Sequence, residues 1–307
     1  MSILRDIDDI FRAGAPAPVA DAALGLLVDL PGRWVGHGFN LIARPARQGI
    51  PTNPPFILEI NATVETLEFD PVVDIANRGD VEPTIIYQGL RYLQQVTDCE
   101  DNSGIHVEPG LWLHFPPSTS NKDDVYFRQA NIPHGDSLIA QSSVAISVSG
   151  GPKIDPVDTF PIKLTQPIPG LNDITHQVLG APYTDPYTTT PLPENCLPKG
   201  LDAAKVIRDP TEVLRAQIAG QNIEETVVLV ISTSGNPPNI STGILNIPFV
   251  GKNANATQMD AIFWIEKVHH PKFNRQFMQL QYVQRVILDF DDIHWPHVSV
   301  ATLVKNH

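Results

Sequence analysis

The chain has 307 residues, 42% hydrophobic and 18% charged, enough apolar content for a sizeable core and too much for global disorder. A formal net charge of −13 without any Lys/Arg cluster argues against a nucleic-acid partner and against adhesion to anionic membranes. Two cysteines, Cys99 and Cys196, rule out a disulfide framework and a multi-cysteine zinc site; they could pair, but their spacing does not decide it.

The N-terminus, MSILRDIDDIFRAG, is acidic, lacks an apolar run and reads as a short helix over 2–13 capped by Ser2. A Pro/Ala link ends near residue 20. No later stretch is long and apolar enough for a membrane helix, so the expectation is a soluble cytoplasmic protein. From residue 21 the dominant signal has period two. Residues 30–45, LPGRWVGHGFNLIARP, read as a first strand in which Gly36 and Gly38 permit tight coiling. In FILEINATVETLEF, 56–69, Phe56, Leu58, Ile60, Ala62 and Val64 alternate with Glu59, Asn61, Thr63 and Glu65. Further strands are expected at 84–97, 110–115, 124–132, 137–148, 226–233, 261–268, 277–290 and 297–305. His134-Gly135-Asp136 and His269-His270-Pro271 read as turns.

Proline density interrupts this pattern. Of 29 prolines, ten lie between Pro152 and Pro198, and few regular elements survive that. A helix over 209–219 follows, with Asp209 as N-cap, Pro210 at N1 and Glu212 closing a capping box; Val213, Leu214 and Ile218 would pack it down. Long alternating strands with short connections predict an all-β fold: one antiparallel up-and-down barrel over 21–307, lipocalin-like, with a few short helices and a Pro-rich insertion at about 151–220. An oligomer is compatible with this reading.

Three places carry candidate chemistry. His106 and Glu108 share a strand face in GIHVEPGLWLHFP, with Pro109 expected to kink the chain between them and Trp112. A histidine beside a carboxylate is either an oriented acid–base pair or a buried hydrogen-bonded one. His134 sits in a turn. In IHWPHVSVATL, 293–303, His297 opens the final strand and shares a face with Ser299, Ala301 and Leu303. A histidine in a cavity needs a hydrogen-bond partner or a metal.

The order of three motifs resembles the nitrobindin family of haem-binding β-barrels, related in shape to fatty-acid-binding proteins. They are Gly32-Arg33-Trp34-Val35-Gly36-His37-Gly38, His106-Val107-Glu108-Pro109-Gly110-Leu111-Trp112, and His297-Val298-Ser299-Val300-Ala301-Thr302-Leu303. The resemblance covers about half of the chain. The resemblance implies haem as cofactor, His297 as proximal iron ligand, and Trp34, Gly36, Gly38 and Trp112 beside the haem. His106 would be distal or in the layer behind it. It further implies nitric oxide binding and peroxynitrite isomerisation, or related peroxide chemistry. The sequence departs from the family at Phe39-Asn40-Leu41-Ile42, where a Pro-Thr step is usual, at His37, and in the insertion. Two other readings stand beside it: a haem-free carrier of an apolar small molecule, and a cofactor-free enzyme using His106 and Glu108.

Overall fold

Strand β2, Phe56–Ala76, runs for 21 residues, far beyond an ordinary strand of five or six. Such length suits a strand that must cross a barrel obliquely and overhang its rim. In the computed structural model, which describes residues 23–46, 56–76, 86–117, 122–164, 179–234, 243–270, 272 and 274–306, the long strands close on themselves. The expected helix over 2–13 and its link lie outside the described residues.

Ten antiparallel strands form the wall. They are β1 (Gly32–Pro45), β2, β3 (Ile86–Asp98), β4 (Gly104–Phe115), β5 (Val125–Ile132), β6 (Asp136–Ser149), β8 (Asn222–Ser232), β10 (Asn255–His270), β11 (Arg275–Phe290) and β12 (Ile293–Asn306). The barrel closes where β12 pairs with β1, Gly36 opposite Leu303, Gly38 opposite Ala301 and Asn40 opposite Ser299. Those glycines are steric requirements. A Cβ on Gly36 would sit 2.8 Å from Leu303 Cα, and one on Gly38 2.6 Å from Glu65 Oε1. Two short strands lie off the wall: β7 (Ile162–Lys163) pairs with β12, and β9 (Gly243–Asn246) pairs with β6.

Several boundaries differ from expectation. Pro109 does not break β4, because its missing N–H costs nothing where the strand pairs with β3 alone; pairing with β5 starts at Gly110. Pro296 likewise sits inside β12 rather than before it. His269 and His270 end strand β10, opposite Gln276 and Arg275, and are not a turn.

One end of the barrel is solid. The chain before β1 folds under it as a short 3-10 turn, Gly25–Leu27, placing Leu24, Leu27 and Leu30 against Trp34, Leu67, Phe69, Trp112 and Leu303. Tyr126 accepts the Leu26 N–H at 3.0 Å, and His114 bridges Ala23 O and Asp124.

The insertion is a second core laid on the outside of the wall. It carries α1 (Asp185–Thr189), α2 (Ala203–Arg208) and α3 (Thr211–Ile218). The expected helix at 209–219 is α3, and a second helix that was not expected, α2, precedes it, with Asp209 at the junction. Asp209 still serves α3, accepting the Thr211 N–H, but it also accepts the Val157 N–H and pairs with Arg215. Glu212 pairs with Arg215 instead of closing a capping box. Val206, Ile207, Val213, Leu214 and Tyr187 cover Phe39, Leu41, Val283, Val298 and Val300, the outward residues of β1, β11 and β12. Trp295 stacks on Phe290 at 4.8 Å and meets Phe56 at 4.5 Å at the insertion's edge. A disulfide joins Cys99, in the β3–β4 turn, to Cys196 in the insertion, settling the pairing that the spacing left open.

Glu266 lies on the outer wall of β10, fully buried, taking a hydrogen bond from Gln279, which in turn pairs with Gln221 just beyond α3. Burial, only partly offset by that hydrogen bond, pushes its carboxyl from 4.5 up to about 7. The unfolded chain releases this proton near 4.5 and the folded chain keeps it until about 7, so the favourable contribution is complete below 4.5 and lost as pH rises through 7. Glu266→Gln should remove that loss, gaining roughly 2–3 kcal/mol over wild type at pH 8 and little at pH 4.5. Urea midpoints at the two pH values check it; an equal shift at both would show that Glu266 does not titrate in this window.

Candidate functional site

Parity places the polar face of β2 inside. Asn61, Thr63 and Glu65 share a face with Leu67 and Phe69, which pack in the barrel floor. The apolar set Phe56, Leu58 and Ile60 points outward, into the core beneath the insertion. Above the floor the interior therefore carries polar groups among apolar ones such as Val96, Ile105, Leu138, Val286 and Leu288. It forms a cavity of about 1020 Å³, reaching from Glu65, Gln94 and Tyr282 out to exposed Phe249 and Lys252. The segment β9 and α4 (Pro248–Gly251) borders its outer end.

Three hydrogen-bonded groups organise this interior. In the first, Glu65 accepts from Thr63 at 2.9 Å, Tyr282 at 2.6 Å and Gln94 at 3.2 Å. Burial raises its carboxyl despite those three donors. In the second, Arg128 donates to Glu108, to Tyr92 Oη at 2.8 Å and to Gln284 Oε1 at 2.7 Å. Tyr92 Oη also donates to Glu108. Burial pushes the Glu108 carboxyl up, but Arg128, His106 and Tyr92 outweigh it and hold it at about 2. The pair is 2% and 0% exposed, and the guanidinium lies over the Tyr92 and Phe263 rings at 5.5 Å.

The third group crosses the barrel's closing seam. His297 Nε2 lies 2.8 Å from Asn40 Oδ1, which also accepts from Ser299 Oγ at 2.8 Å. Asn40 Nδ2 faces Asn61 Oδ1 at 3.5 Å, and Asn61 Nδ2 donates to Asp98 Oδ2 at 2.9 Å. Burial, with His106 and His134 across the cavity, holds His297 down at about 3, so its ring is neutral at ordinary pH.

The residues expected from the sequence fall into two places. His297, His106 and His134 all line the cavity, with the His106 and His134 rings 5.8 Å apart. Glu108 lies behind that surface: one oxygen is 3.2 Å from His106 Nε2 and the other is held by Arg128 and Tyr92. It can orient His106, and its own carboxylate is enclosed. Trp34 and Trp112 belong to the floor, Trp34 Nε1 donating to Leu30 O at 2.8 Å and Trp112 edge-on to Phe263. Gly36 and Gly38 serve the β1–β12 seam. No group of three or more metal-ligating side chains occurs among the described residues.

Asn40, Asn61, Glu65, Gln94, Arg128, Tyr282 and Ser299 were not singled out in the sequence. The available signal was parity, since Asn61, Thr63 and Glu65 precede Leu67 and Phe69 on one face of a long strand.

The fold and site define a closed antiparallel β-barrel with an internal cavity of mixed polar and apolar lining. No family model matches the chain, and no curated protein matches it. Among solved structures it is similar to the crystal structure of Rv2717c from M. tuberculosis, with 13% identity and a TM-score of 0.41, over 93% of this chain and 98% of that one. No helix among the described residues is long and apolar enough to cross a membrane.

Arg128→Met would strand the Glu108 carboxylate in the interior. The expected cost is roughly 3–5 kcal/mol in urea denaturation, with much of it recovered by adding Glu108→Gln. A single-variant loss below about 1 kcal/mol would mean that water reaches Glu108 and that the pair does not organise the interior.

Proposed function

We propose that the protein binds one small molecule inside its barrel, with the ligand's polar groups turned to the deep wall. The observation that carries this is the lining itself. Asn40, Asn61, Glu65, Gln94, His297 and Ser299 converge on a cavity of about 1020 Å³, at depths that a barrel without a ligand fills with apolar side chains. Those polar groups share the wall with Ile42, Val96, Ile105, Leu138, Val286 and Leu288, so the occupant it suits is amphipathic, since each uncompensated polar wall group costs free energy when a purely apolar surface covers it.

Haem ligated by His297 is the second reading. Its support is a neutral imidazole at a wide cavity. Nε2 is taken by Asn40, so a ligating lone pair would have to be Nδ1, and Asn61, Glu65 and Ser299 put polar groups into the lining beside it. Nitric oxide or peroxynitrite chemistry depends on that reading. An acid–base enzyme using His106 has support from Glu108, which orients the ring without facing the cavity. For localisation, the Cys99–Cys196 disulfide favours an oxidising compartment over the reducing cytoplasm expected from the sequence.

A thermal-shift screen of small polar and amphipathic compounds tests the main reading, with Val286→Trp, which fills the cavity wall, as control. Compounds should raise the wild-type Tm and leave the variant unmoved. Equal shifts in both would place binding elsewhere. Hemin should give only a broad absorption band, unchanged by His297→Ala; a sharp Soret band lost in that variant makes haem the occupant.

A further inference from the structure

The seam-crossing chain of side chains has a direction, and the direction is set at one end. A carboxylate can only accept, so Asp98 obliges Asn61 to turn its amide N–H₂ outward and its oxygen inward. Asn61 Oδ1 then faces the N–H₂ of Asn40, at 3.5 Å the longest link. That leaves Asn40 Oδ1 as the acceptor on the far side, where Ser299 and His297 both meet it at 2.8 Å. An amide oxygen cannot donate, so His297 Nε2 must carry the ring proton. The remaining nitrogen, Nδ1, is then a lone pair. It has no partner among the described residues and is not one of the sealed, unsatisfied buried atoms, while the ring lines the cavity.

We propose that the Asp98–Asn61–Asn40 chain fixes His297 as the Nε2–H tautomer, making Nδ1 the hydrogen-bond-accepting anchor of the cavity, and that the cavity selects ligands presenting an O–H or N–H to it. This rests on the small-molecule reading above. The ligand class is uncharged and donor-bearing: an alcohol, phenol or amide. A ligand with only acceptors would face the Nδ1 lone pair with a lone pair of its own. The geometry also separates roles. His297 is the group that touches the ligand, and Asn40, Asn61 and Asp98 are positioning residues that act through it.

Asp98 occupies a telling place. Its other oxygen, Oδ1, accepts the N–H groups of Glu100 and Asp101 at 2.7 and 3.3 Å and so shapes the β3–β4 turn. The next residue, Cys99, is tethered by the disulfide to the insertion and donates its N–H to Ala62 O on β2, next to Asn61. The carboxylate that orients the chain is thus held from both sides, by the turn it caps and by the cross-link beside it.

The test joins a spectroscopic and a binding readout on the full chain. Long-range ¹H–¹⁵N NMR should give His297 a pyridine-type Nδ1 and a pyrrole-type Nε2. Asp98→Asn, nearly isosteric and still able to cap the turn, should yield a mixture of tautomers, because an amide can donate as well as accept. Asn40→Leu should do the same if it folds. A pyrrole-type Nδ1 in wild type overturns the proposal whatever binds. The binding probes are 2-naphthol and 2-methoxynaphthalene, which differ in one donor. Wild type should prefer the naphthol by about tenfold, as for one net hydrogen bond. Asp98→Asn should shrink that ratio, and Val286→Trp should abolish binding of both. Equal affinity for the two in wild type overturns the anchor while leaving the cavity reading in place. Binding of neither probe or of any screened compound fails the cavity reading, and with it the ligand role of Nδ1.

Discussion

Closure of β12 onto β1 is the constraint on which the rest of the molecule depends. These strands come from opposite ends of the described chain, and their pairing turns an open meander into a barrel with an inside. It requires backbones to approach at Gly36 and Gly38, where a side chain would meet β12 or Glu65. The same pairing brings Asn40 opposite Ser299, and so next to His297. Without the seam there is no cavity, and the histidine has no partner to choose its tautomer.

The distribution of polarity follows from a second economy. Where the insertion lies against the wall, the outer faces of β1, β11 and β12 are buried, so Phe39, Leu41, Val298 and Val300 point outward and are still covered. The barrel's stability then rests on two cores, one in the floor and one outside. With apolar burial provided there, the upper interior is free to carry Glu65, Gln94, Asn61 and His297. Groups deep in a barrel must be hydrogen-bonded to one another, and the three interior networks do this for every group named except His297 Nδ1, which faces the cavity. Glu108 and Arg128 show the cost clearly: the carboxylate is kept ionised only because the guanidinium, the Tyr92 hydroxyl and His106 surround it.

Much of the architecture was legible in the residues. Period-two alternation marked long strands, the proline run marked an insertion, and the glycines around Trp34 marked tight coiling. The errors are local. Pro109 looked like a kink and Pro296 stood outside the expected last strand, yet both lie within strands, because a proline is tolerated where no ladder partner needs its N–H. Asp209 looked like the N-cap of one helix and is the junction of two. The site was legible only in part. His106 was read with Glu108, His134 as a turn residue and His297 as the start of the last strand, but Asn40, the side chain that meets His297, was passed over. Asn40 and Asn61 look like ordinary strand positions, because nothing local distinguishes a polar residue facing water from one facing a cavity.

Strand type and the two-sided pattern of each strand were determined by the sequence itself, since backbone sterics and side-chain period act over a few neighbouring residues, whereas the strands' full lengths, as in β2 and β10, came from pairing across the sheet. Which side was inside was a tertiary decision. An apolar face seeks cover, and cover came from an insertion distant in the chain as well as from the barrel's own floor. The tertiary structure alone therefore turned Asn61 and Glu65 inward, enclosed Glu108 with Arg128 from the neighbouring strand, and set Asn40 against a histidine 257 residues away. Contacts of that separation depend on how the whole sheet closes, and no local window of sequence contains them.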